Sequence, residues 1–419
     1  MKFDCEYTLE RGPKPAETGP AAADLLEENL TLSPKKRQAL VIPWEEICSF
    51  SLAGYKAVLA FGQATLAISS LGYKFEDFAR LAARLRNERL LKLDLAEEPL
   101  KKSMIEAELD YEGPAGKFSC HCELRIYETS LVALPDTADF VRLPFRFITE
   151  IREGDYTVEV AGGSGEAWRL TGLGRNYDYF RDSLRAETGK MDLFVQNALL
   201  AALPGVPPLD IRALAALSRE GRLVPLSELE KAVPGTAAGL EKRICSDKED
   251  AGEYNFLKKI SASGKTAFGI KKGLMGALSG DHYMFVFRVD KPAPAAVVES
   301  FLLEAKNART PTDKTATYLY RLPGDGGSWE TFLSFFNRAM TAVNFRRMPI
   351  MLSDESLLNP KYAVYAGAPA RIPELKELRG LYLGRAIHGA PEQWAADISA
   401  ALEFAAKDPA PGSRWKKAG

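Results

Sequence analysis

An internal repeat constrains the fold of this chain more than any other feature of its sequence. The stretch from Ala39 to Gly72 recurs about 101 positions later, from Phe140 to Gly174. A constant offset through proline, glycine and apolar positions predicts two copies of one structural unit. The matched positions are Pro43 with Pro144, Trp44 with Phe145, Ile47 with Ile148, Phe50 with Ile151, Tyr55 with Tyr156, Leu71-Gly72 with Leu173-Gly174, and Phe78 with Phe180.

Each copy alternates apolar and polar residues along short segments and then changes to helical spacing. Six or seven short strands and one amphipathic helix are therefore predicted for each copy. The match extends upstream: Phe3, Cys5, Tyr7 and Leu9 alternate as do Ile105, Ala107, Leu109 and Tyr111. We expect Leu30–Leu32 and Leu124–Ile126 to be the second strands of the two copies. A bent sheet closed at one end by its helix would bury both apolar faces.

This arrangement resembles the pleckstrin homology-like (PH-like) family, whose members are bent barrels of about seven antiparallel strands with a C-terminal capping helix. The resemblance covers residues 1–92 and 103–188 and depends on strand order, the Leu-Gly lead-in and the aromatic face of the helix. Well-known eukaryotic members have a tryptophan in the capping helix, where this chain has Phe78 and Phe180. The resemblance implies binding through sheet edges, loops or the helix flank.

The whole chain is predicted to be α+β, with five regions. These are a PH-like domain at 1–92, a second at 103–188, a helical connector at 191–244, an α+β domain at 245–408 and a flexible tail at 409–419. Within the α+β domain we expect a helix over 295–308 and a strand over 362–365. The glycine- and lysine-rich stretch 254–280 is expected to be mobile.

Composition and charge exclude several classes of protein. The chain has 55 basic and 56 acidic residues, so no overall positive field attracts nucleic acid. Five cysteines in 419 residues are too few for a disulfide scaffold. The N-terminus carries Asp4 and Glu6 and lacks the apolar core of an export signal, and no continuous apolar run suggests a membrane span. We therefore expect a cytoplasmic protein.

The motifs that suggest chemistry are incomplete. Ser263–Thr266 (SGKT) has Lys259 where a phosphate-binding loop needs glycine. Cys120 and Cys122 have no second pair for a structural zinc site, and alternation favours buried thiols on one strand face. His121, His282 and His388 are far apart in the sequence and lie in no nucleophile motif. No cofactor, metal or catalytic residue is predicted.

Two groups of basic residues are candidates for lipid or anion binding. Lys35, Lys36 and Arg37 form a loop in the first copy, whereas the equivalent loop 135–139 in the second copy carries Asp136 and Asp139. The other group comprises Lys258, Lys259, Lys265, Lys271 and Lys272. Converging cations hold phosphate, although basic residues on a turn are also common as a solvated cluster.

The sequence supports three hypotheses. The preferred one is a non-enzymatic scaffold that binds a protein partner through its tandem PH-like domains. The second is peripheral binding to an anionic or phosphoinositide-type membrane surface through the basic residues. The third is an enzyme with its site in the C-terminal domain. Polar candidates for that site are Asp281, His282, Arg346, Arg347 and His388.

Overall fold

A computed structural model describes residues 1–13, 15–95, 98–163, 165–261, 265–273, 281–303, 316–323, 328–357, 359 and 362–407. The tail predicted at 409–419 and the first two residues of the SGKT motif lie outside these ranges. The chain divides into two compact units. The first unit comprises residues 1–187 and 355–371, and the second comprises 188–354 and 372–419.

The first unit begins with a seven-stranded antiparallel sheet in the order β4-β3-β2-β1-β7-β6-β5. A helix follows it, and the helix residues Phe78 and Ala82 join the sheet's inward side chains in one hydrophobic core. The elements are β1 (Lys2–Arg11), β2 (Glu17–Leu25), β3 (Asn29–Pro34), β4 (Leu40–Pro43), β5 (Ile47–Ala53), β6 (Lys56–Phe61), β7 (Ala64–Ser69) and α1 (Phe75–Asp94).

A second seven-stranded sheet has the corresponding order, β11-β10-β9-β8-β14-β13-β12. The helix that follows it places Phe180 in a fully buried position, as α1 does for Phe78. The elements are β8 (Leu100–Gly113), β9 (Gly116–Tyr127), β10 (Ser130–Pro135), β11 (Val141–Pro144), β12 (Ile148–Gly154), β13 (Thr157–Gly162), β14 (Ala167–Thr171) and α2 (Tyr177–Ala202).

Irregular features also recur in the two copies, which we call repeat one and repeat two. The register shifts after Ile47 in β5 and after Ile148 in β12. Tyr55 and Tyr156 both have positive φ, 58° and 50°, in the hairpin that follows. A bulge and a left-handed turn residue are uncommon backbone conformations, and both occur at matching places. The sequence repeat is therefore also a structural repeat.

One predicted match between the repeats is wrong. Leu30–Leu32 lies on the third strand, β3, whereas Leu124–Ile126 lies on β9, the second strand of its sheet. The structural counterpart of Leu30–Leu32 is 131–133 on β10. The first hairpin of repeat two has strands of 14 and 12 residues, against 10 and 9 in repeat one. Because the first hairpin of repeat two is longer, the upstream match paired the third strand of one repeat with the second strand of the other.

The second unit contains a six-stranded sheet in the order β15-β16-β17-β18-β19-β20 with helices on both faces. The end of α2, the helices that follow it and the last helix cover one face. On the other face, Tyr320 contacts the rings of Phe332 and Phe336. The elements that follow α2 in the chain are α3 (Pro208–Leu217), β15 (Val224–Pro225), α4 (Leu226–Ala232), α5 (Thr236–Ile244), α6 (Lys248–Ile260), β16 (Thr266–Lys271), β17 (His282–Val289), β18 (Ala295–Leu302), β19 (Ala316–Arg321), α7 (Trp329–Ala342), α8 (Met348–Met351), α9 (Asp354–Leu357), α10 (Ala363–Ala366), α11 (Ala368–Arg371), α12 (Pro373–Leu381), β20 (Tyr382–Ile387) and α13 (Pro391–Lys407). Of these, α10, α11 and all but the first residue of α9 belong to the first unit.

Three local predictions for this part of the chain are wrong. The helix expected from residue 295 is the central strand β18, whose buried residues show no alternation because both faces are covered. The strand expected over 362–365 is mostly α10. Residues 266–271, expected to be mobile, form the buried strand β16. There Gly269 is needed, because a Cβ would lie 2.7 Å from the Arg222 carbonyl oxygen.

The predicted helical connector shares a core with the third sheet. Leu214 and Leu240 from its helices belong to the same hydrophobic cluster as Phe285 and Leu383 from the strands. Its short strand β15 also pairs with β16 at the edge of that sheet. Residues 191–244 therefore belong to the same compact unit as the third sheet.

Candidate functional site

Helix α1 packs against both sheets of the first unit. Phe78 and Ala82 contribute to the core of repeat one, while Leu91, near the helix C-terminus, packs with Val132 and Leu134 of β10. As a result, β10 is buried on both faces. The outer face of β10 is therefore covered by α1 within the first unit.

Polar contacts also join α1 to the acidic loop of repeat two. The Arg86 guanidinium, 2% exposed, donates to Asp139 and also to the Ile47 carbonyl oxygen, 3.0 Å from Nη2. Asn87 donates to the Ala138 carbonyl at 2.9 Å and accepts from the Phe140 N–H at 3.2 Å. Burial lowers the pKa of Arg86, and the charge of Asp139 opposes that shift. The acidic loop thus has a structural role between the repeats.

The equivalent basic loop of repeat one lies on the surface. Lys35, Lys36 and Arg37 are exposed in the turn between β3 and β4. Arg37 forms an ion pair with Glu17 at 2.5 Å. Two lysines of this turn, at positions 35 and 36, therefore have no ion pair within the described residues.

The second basic group does not form a single surface. Lys258 pairs with Glu241 at 2.6 Å on the helical side, and Lys259 and Lys265 are exposed. Lys271 is fully buried, with its Nζ 2.6 Å from Glu220 and 4.9 Å from the centre of the Phe345 ring. Lys272 is half-buried and its N–H donates to Glu220 at 3.1 Å. Lys271 is therefore inside the protein, where it cannot contact a membrane surface.

The two repeats differ most at the edge strands β5 and β12. Each strand ends its sheet and pairs with one neighbour, β6 or β13, among the residues that the structure describes. Strand β5 (ICSFSLA) has no charged residue, and its Cys48, Ser49 and Ser51 are exposed. Strand β12 (ITEIREG) presents Glu150, Arg152 and Glu153.

Charges on β12 are held in place by their neighbours. Arg152 binds Glu150 through a bidentate pair at 2.7 and 2.6 Å. Glu153 lies 2.6 Å from Arg185 of α2, which ties the edge strand to the helix. Charges on an edge strand discourage the pairing of another strand. By this criterion β12 is protected and β5 is not.

The outer faces behind these edges differ in the same way. In repeat two, a groove of about 520 Å³ crosses five strands and is lined by charged side chains such as Asp110, Glu159 and Arg169. Cross-strand pairing places Thr8, Ala67 and Val58 at the corresponding positions of repeat one. The face adjoining β5 is therefore uncharged where its counterpart is charged.

The second unit contains a buried cluster around His388, at the end of β20. Its Nδ1 lies 2.6 Å from Glu253 on α6, and its Nε2 lies 3.1 Å from Glu299 on β18. Thr317 donates to Glu299 and accepts a 2.7 Å hydrogen bond from the Trp394 indole. Burial alone would lower the pKa of His388, but the charge of Glu299 and the hydrogen bonds raise it to about 10. The cluster thus connects α6, β18, β19 and α13 through ion pairs and hydrogen bonds.

The remaining candidates for an enzyme site are not assembled around that histidine. His282 opposes Lys271 in the pairing of β16 with β17, and Arg347 lies 4.2 Å from the centre of the Tyr318 ring. Side chains alternate along strands, so His282 and Tyr318 lie on the sheet face opposite His388. Arg347 is on that same face because it lies over the Tyr318 ring. The Asp281 carboxylate accepts from the Gly273 N–H at 2.8 Å, and the Arg346 N–H donates to the Val343 carbonyl at 3.0 Å.

The cysteine interpretation is confirmed for the shared strand face and for the burial of Cys122. Cys122 is buried and Cys120 half-buried on one face of β9, and burial raises the pKa of both thiols. His121, on the other face, is exposed between Glu106 and Asp136 at 3.3 and 3.4 Å. Within the described ranges no group of histidine, cysteine and carboxylate side chains has the arrangement of a metal site.

No protein-family model matches the sequence, and no curated protein is significantly similar to it. Among the described residues, no helix is both long and apolar enough to cross a membrane.

Sequence reasoning missed the edge strand, although the signal was present. Once Ile47 is aligned with Ile148, the positions after it read CSFSLA in one repeat and TEIREG in the other. The absence of charge from one copy of an edge strand is a difference between the repeats, whereas the repeat itself is defined by what they share.

Proposed function

We propose that this chain is a non-enzymatic cytoplasmic interaction protein built on tandem PH-like domains, and that it binds an extended segment of a protein partner along β5. The strand order, the bent antiparallel sheets and the helix after the seventh strand support the PH-like assignment for both repeats. The partner-binding role is assigned to repeat one.

The observation that carries this proposal is the uncharged, exposed edge of β5 beside a charged copy of the same strand. An edge strand offers unpaired N–H and C=O groups to an incoming strand, and proteins usually block such edges with charge. Repeat two has that protection at Glu150, Arg152 and Glu153, and repeat one lacks it at Ser49, Ser51 and Leu52.

The geometry of β5 fits strand addition. Phe50 and Leu52 are half-buried against the core of repeat one, so the strand is anchored from inside. The Ile47 carbonyl is already bonded to Arg86, which leaves Cys48–Ala53 for a partner. Main-chain hydrogen bonds would supply affinity, and alternate side chains of the added strand would supply specificity.

The test uses random 12-residue peptides displayed on phage and selected on the full chain. A selected peptide is then measured by fluorescence anisotropy against S49E/S51R/L52E, which copies the charges of β12 onto β5. We expect at least a tenfold loss of affinity. The control V41E places a charge on β4, the opposite edge of the same sheet, and should bind normally. Equal binding by the triple variant and the parent contradicts the proposal.

Anionic membrane binding is a second candidate because Lys35, Lys36 and Arg37 are exposed together in one turn. Basic residues near an anionic surface contribute about 1 kcal/mol each and lose that contribution as salt rises. Flotation with phosphatidylserine vesicles at low salt should recover the chain and lose K35E/K36E. Recovery that is the same with neutral vesicles, or the same for the variant, rejects this role.

A further inference from the structure

A short segment far along the chain belongs to the first unit. The described residues of 355–371 pack with the first unit, whereas the chain on both sides of the segment counts in the second unit. Its last part contains α10 and α11 and contacts the 3-10 turn at Trp44–Glu46, just before β5. Repeat one therefore has a surface that binds a piece of this same chain.

An ion pair fixes the end of the segment. Arg371 Nη2 lies 2.5 Å from Asp94 Oδ1, at the C-terminal end of α1. The two side chains are only 8% and 13% exposed. An ion pair that is this well shielded from water is screened less than a surface pair. Arg371 is thus held in a site, unlike the surface arginines of the chain.

A glycine fixes the other end of the same helical turn. A Cβ at Gly367 would lie 2.3 Å from the Glu45 carbonyl oxygen, so no larger residue fits without displacement of the backbone. The Arg371 N–H donates to the Gly367 carbonyl at 3.2 Å, which places the glycine and the arginine on one turn. Ala368 between them is buried.

The receiving surface has its own support. Glu45 accepts two hydrogen bonds from Arg89 of α1, at 3.1 and 2.8 Å, and Arg86 holds the adjacent Ile47 carbonyl. The contacts that shape the site therefore come from repeat one and do not depend on the segment. Such preorganisation lets a site accept a ligand with a smaller ordering cost.

We propose that this surface of repeat one is a receptor for a helical turn with glycine and arginine four residues apart, and that Gly367–Arg371 is an internal copy of its ligand. A partner helix with the same Gly-x-x-x-Arg pattern would bind by displacing the internal copy. Because the internal copy is part of the same chain, its binding is intramolecular, so it keeps weak competitors out. This proposal does not depend on binding at β5.

The experiment disables the internal copy and leaves the receptor intact. The full chain with G367L/R371E is compared with the parent for binding of a fluorescent, end-blocked peptide of residues 362–371. We expect the dissociation constant to be at least tenfold lower for the variant. Adding D94N to the variant should abolish the gain, and a peptide with the R371E change should not bind.

Two results would overturn the proposal. Equal peptide binding by the parent and by a folded G367L/R371E variant would mean that the segment does not occupy a ligand site. Loss of cooperative unfolding in G367L/R371E, measured by circular dichroism, would make the segment an integral part of the first unit and not a displaceable ligand. Failure of the β5 variants to lose peptide binding would leave this result unaffected.

Discussion

Strand β10 of repeat two is buried on both faces, whereas β3, its counterpart in repeat one, is covered on one face. Val132 and Leu134 lie under α1 in repeat two, while Thr31 and Ser33 hold the matching places in repeat one. The same asymmetry appears in the loops that follow, where Asp139 is bound by Arg86 and Lys36 is exposed. One copy of the fold provides a packing surface, and the other keeps its equivalent surface open.

The edge strands show the same asymmetry. Repeat two protects β12 with three charges, and repeat one leaves β5 uncharged. A duplicated fold therefore does not imply duplicated function, because exposed positions can differ while buried positions keep the fold. The following predictions test this division between the repeats, beginning with the largest expected effect.

Replacing the buried phenylalanine should have different effects in α1 and in α2. Phe78 and Phe180 are both fully buried, so Phe78→Ala and Phe180→Ala should each destabilise by about 3–5 kcal/mol. Because α1 also covers β10, Phe78→Ala should raise hydrogen exchange in both repeats, measured by mass spectrometry. Phe180→Ala should raise it in repeat two and leave repeat one unchanged. Tyr73→Ala, at a side chain 92% exposed, is the control. Identical exchange patterns for the two variants would argue against a shared helix.

Removal of Arg86 should cost more than removal of its acidic partner. Arg86→Leu leaves the Ile47 carbonyl without its donor and should destabilise by about 2–3 kcal/mol. Asp139, with a side chain 53% exposed, should lose under about 1 kcal/mol on change to alanine. Urea unfolding measures both. Equal losses would mean that the ion pair, and not the carbonyl contact, dominates.

Replacing an outward-facing residue of β10 by its counterpart in β3, and the reverse replacement, should have unequal effects on stability. Val132→Thr buries a hydroxyl under α1 and should destabilise by about 1–2 kcal/mol. The reverse change in repeat one, Thr31→Val, should alter stability by less than about 0.5 kcal/mol. Thermal unfolding of both variants provides the comparison, and a neutral Val132→Thr would show that β10 is not sealed.

Cysteine labelling should distinguish exposed from buried strands without affecting stability. Cys48 is exposed on β5, whereas Cys5 on β1 is buried and burial raises its pKa to about 11. At pH 7.5 maleimide should modify Cys48 at least tenfold faster than Cys5, as followed by peptide mass spectrometry. A bound peptide should protect Cys48, and undiminished labelling under saturation would place that peptide elsewhere.

The repeat was accessible to sequence reasoning because buried and backbone-constrained positions, such as Ile47 with Ile148 and Tyr55 with Tyr156, keep the same residue types. Strand β18 was not accessible, because a strand buried on both faces loses the alternation that identifies strands. Gly269 in β16 was read as a sign of mobility, although it permits close approach of the Arg222 carbonyl. The segment 355–371 was missed because its packing partners are distant in the sequence.

The central claim, that β5 binds because it lacks the charges of β12, is tested most directly by exchanging the two edges. A peptide selected on the parent is titrated against two variants. The first carries S49E/S51R/L52E on β5, with Cys48, Phe50 and Ala53 unchanged. The second carries the same substitutions together with E150S/R152S/E153L on β12. Binding should be lost when only the β5 substitutions are present. It should return in part when the β12 substitutions are added, because β12 then lacks its protecting charges. Chemical cross-linking of the bound peptide should then map to residues 148–154. Affinity that stays unchanged through both sets would contradict the account.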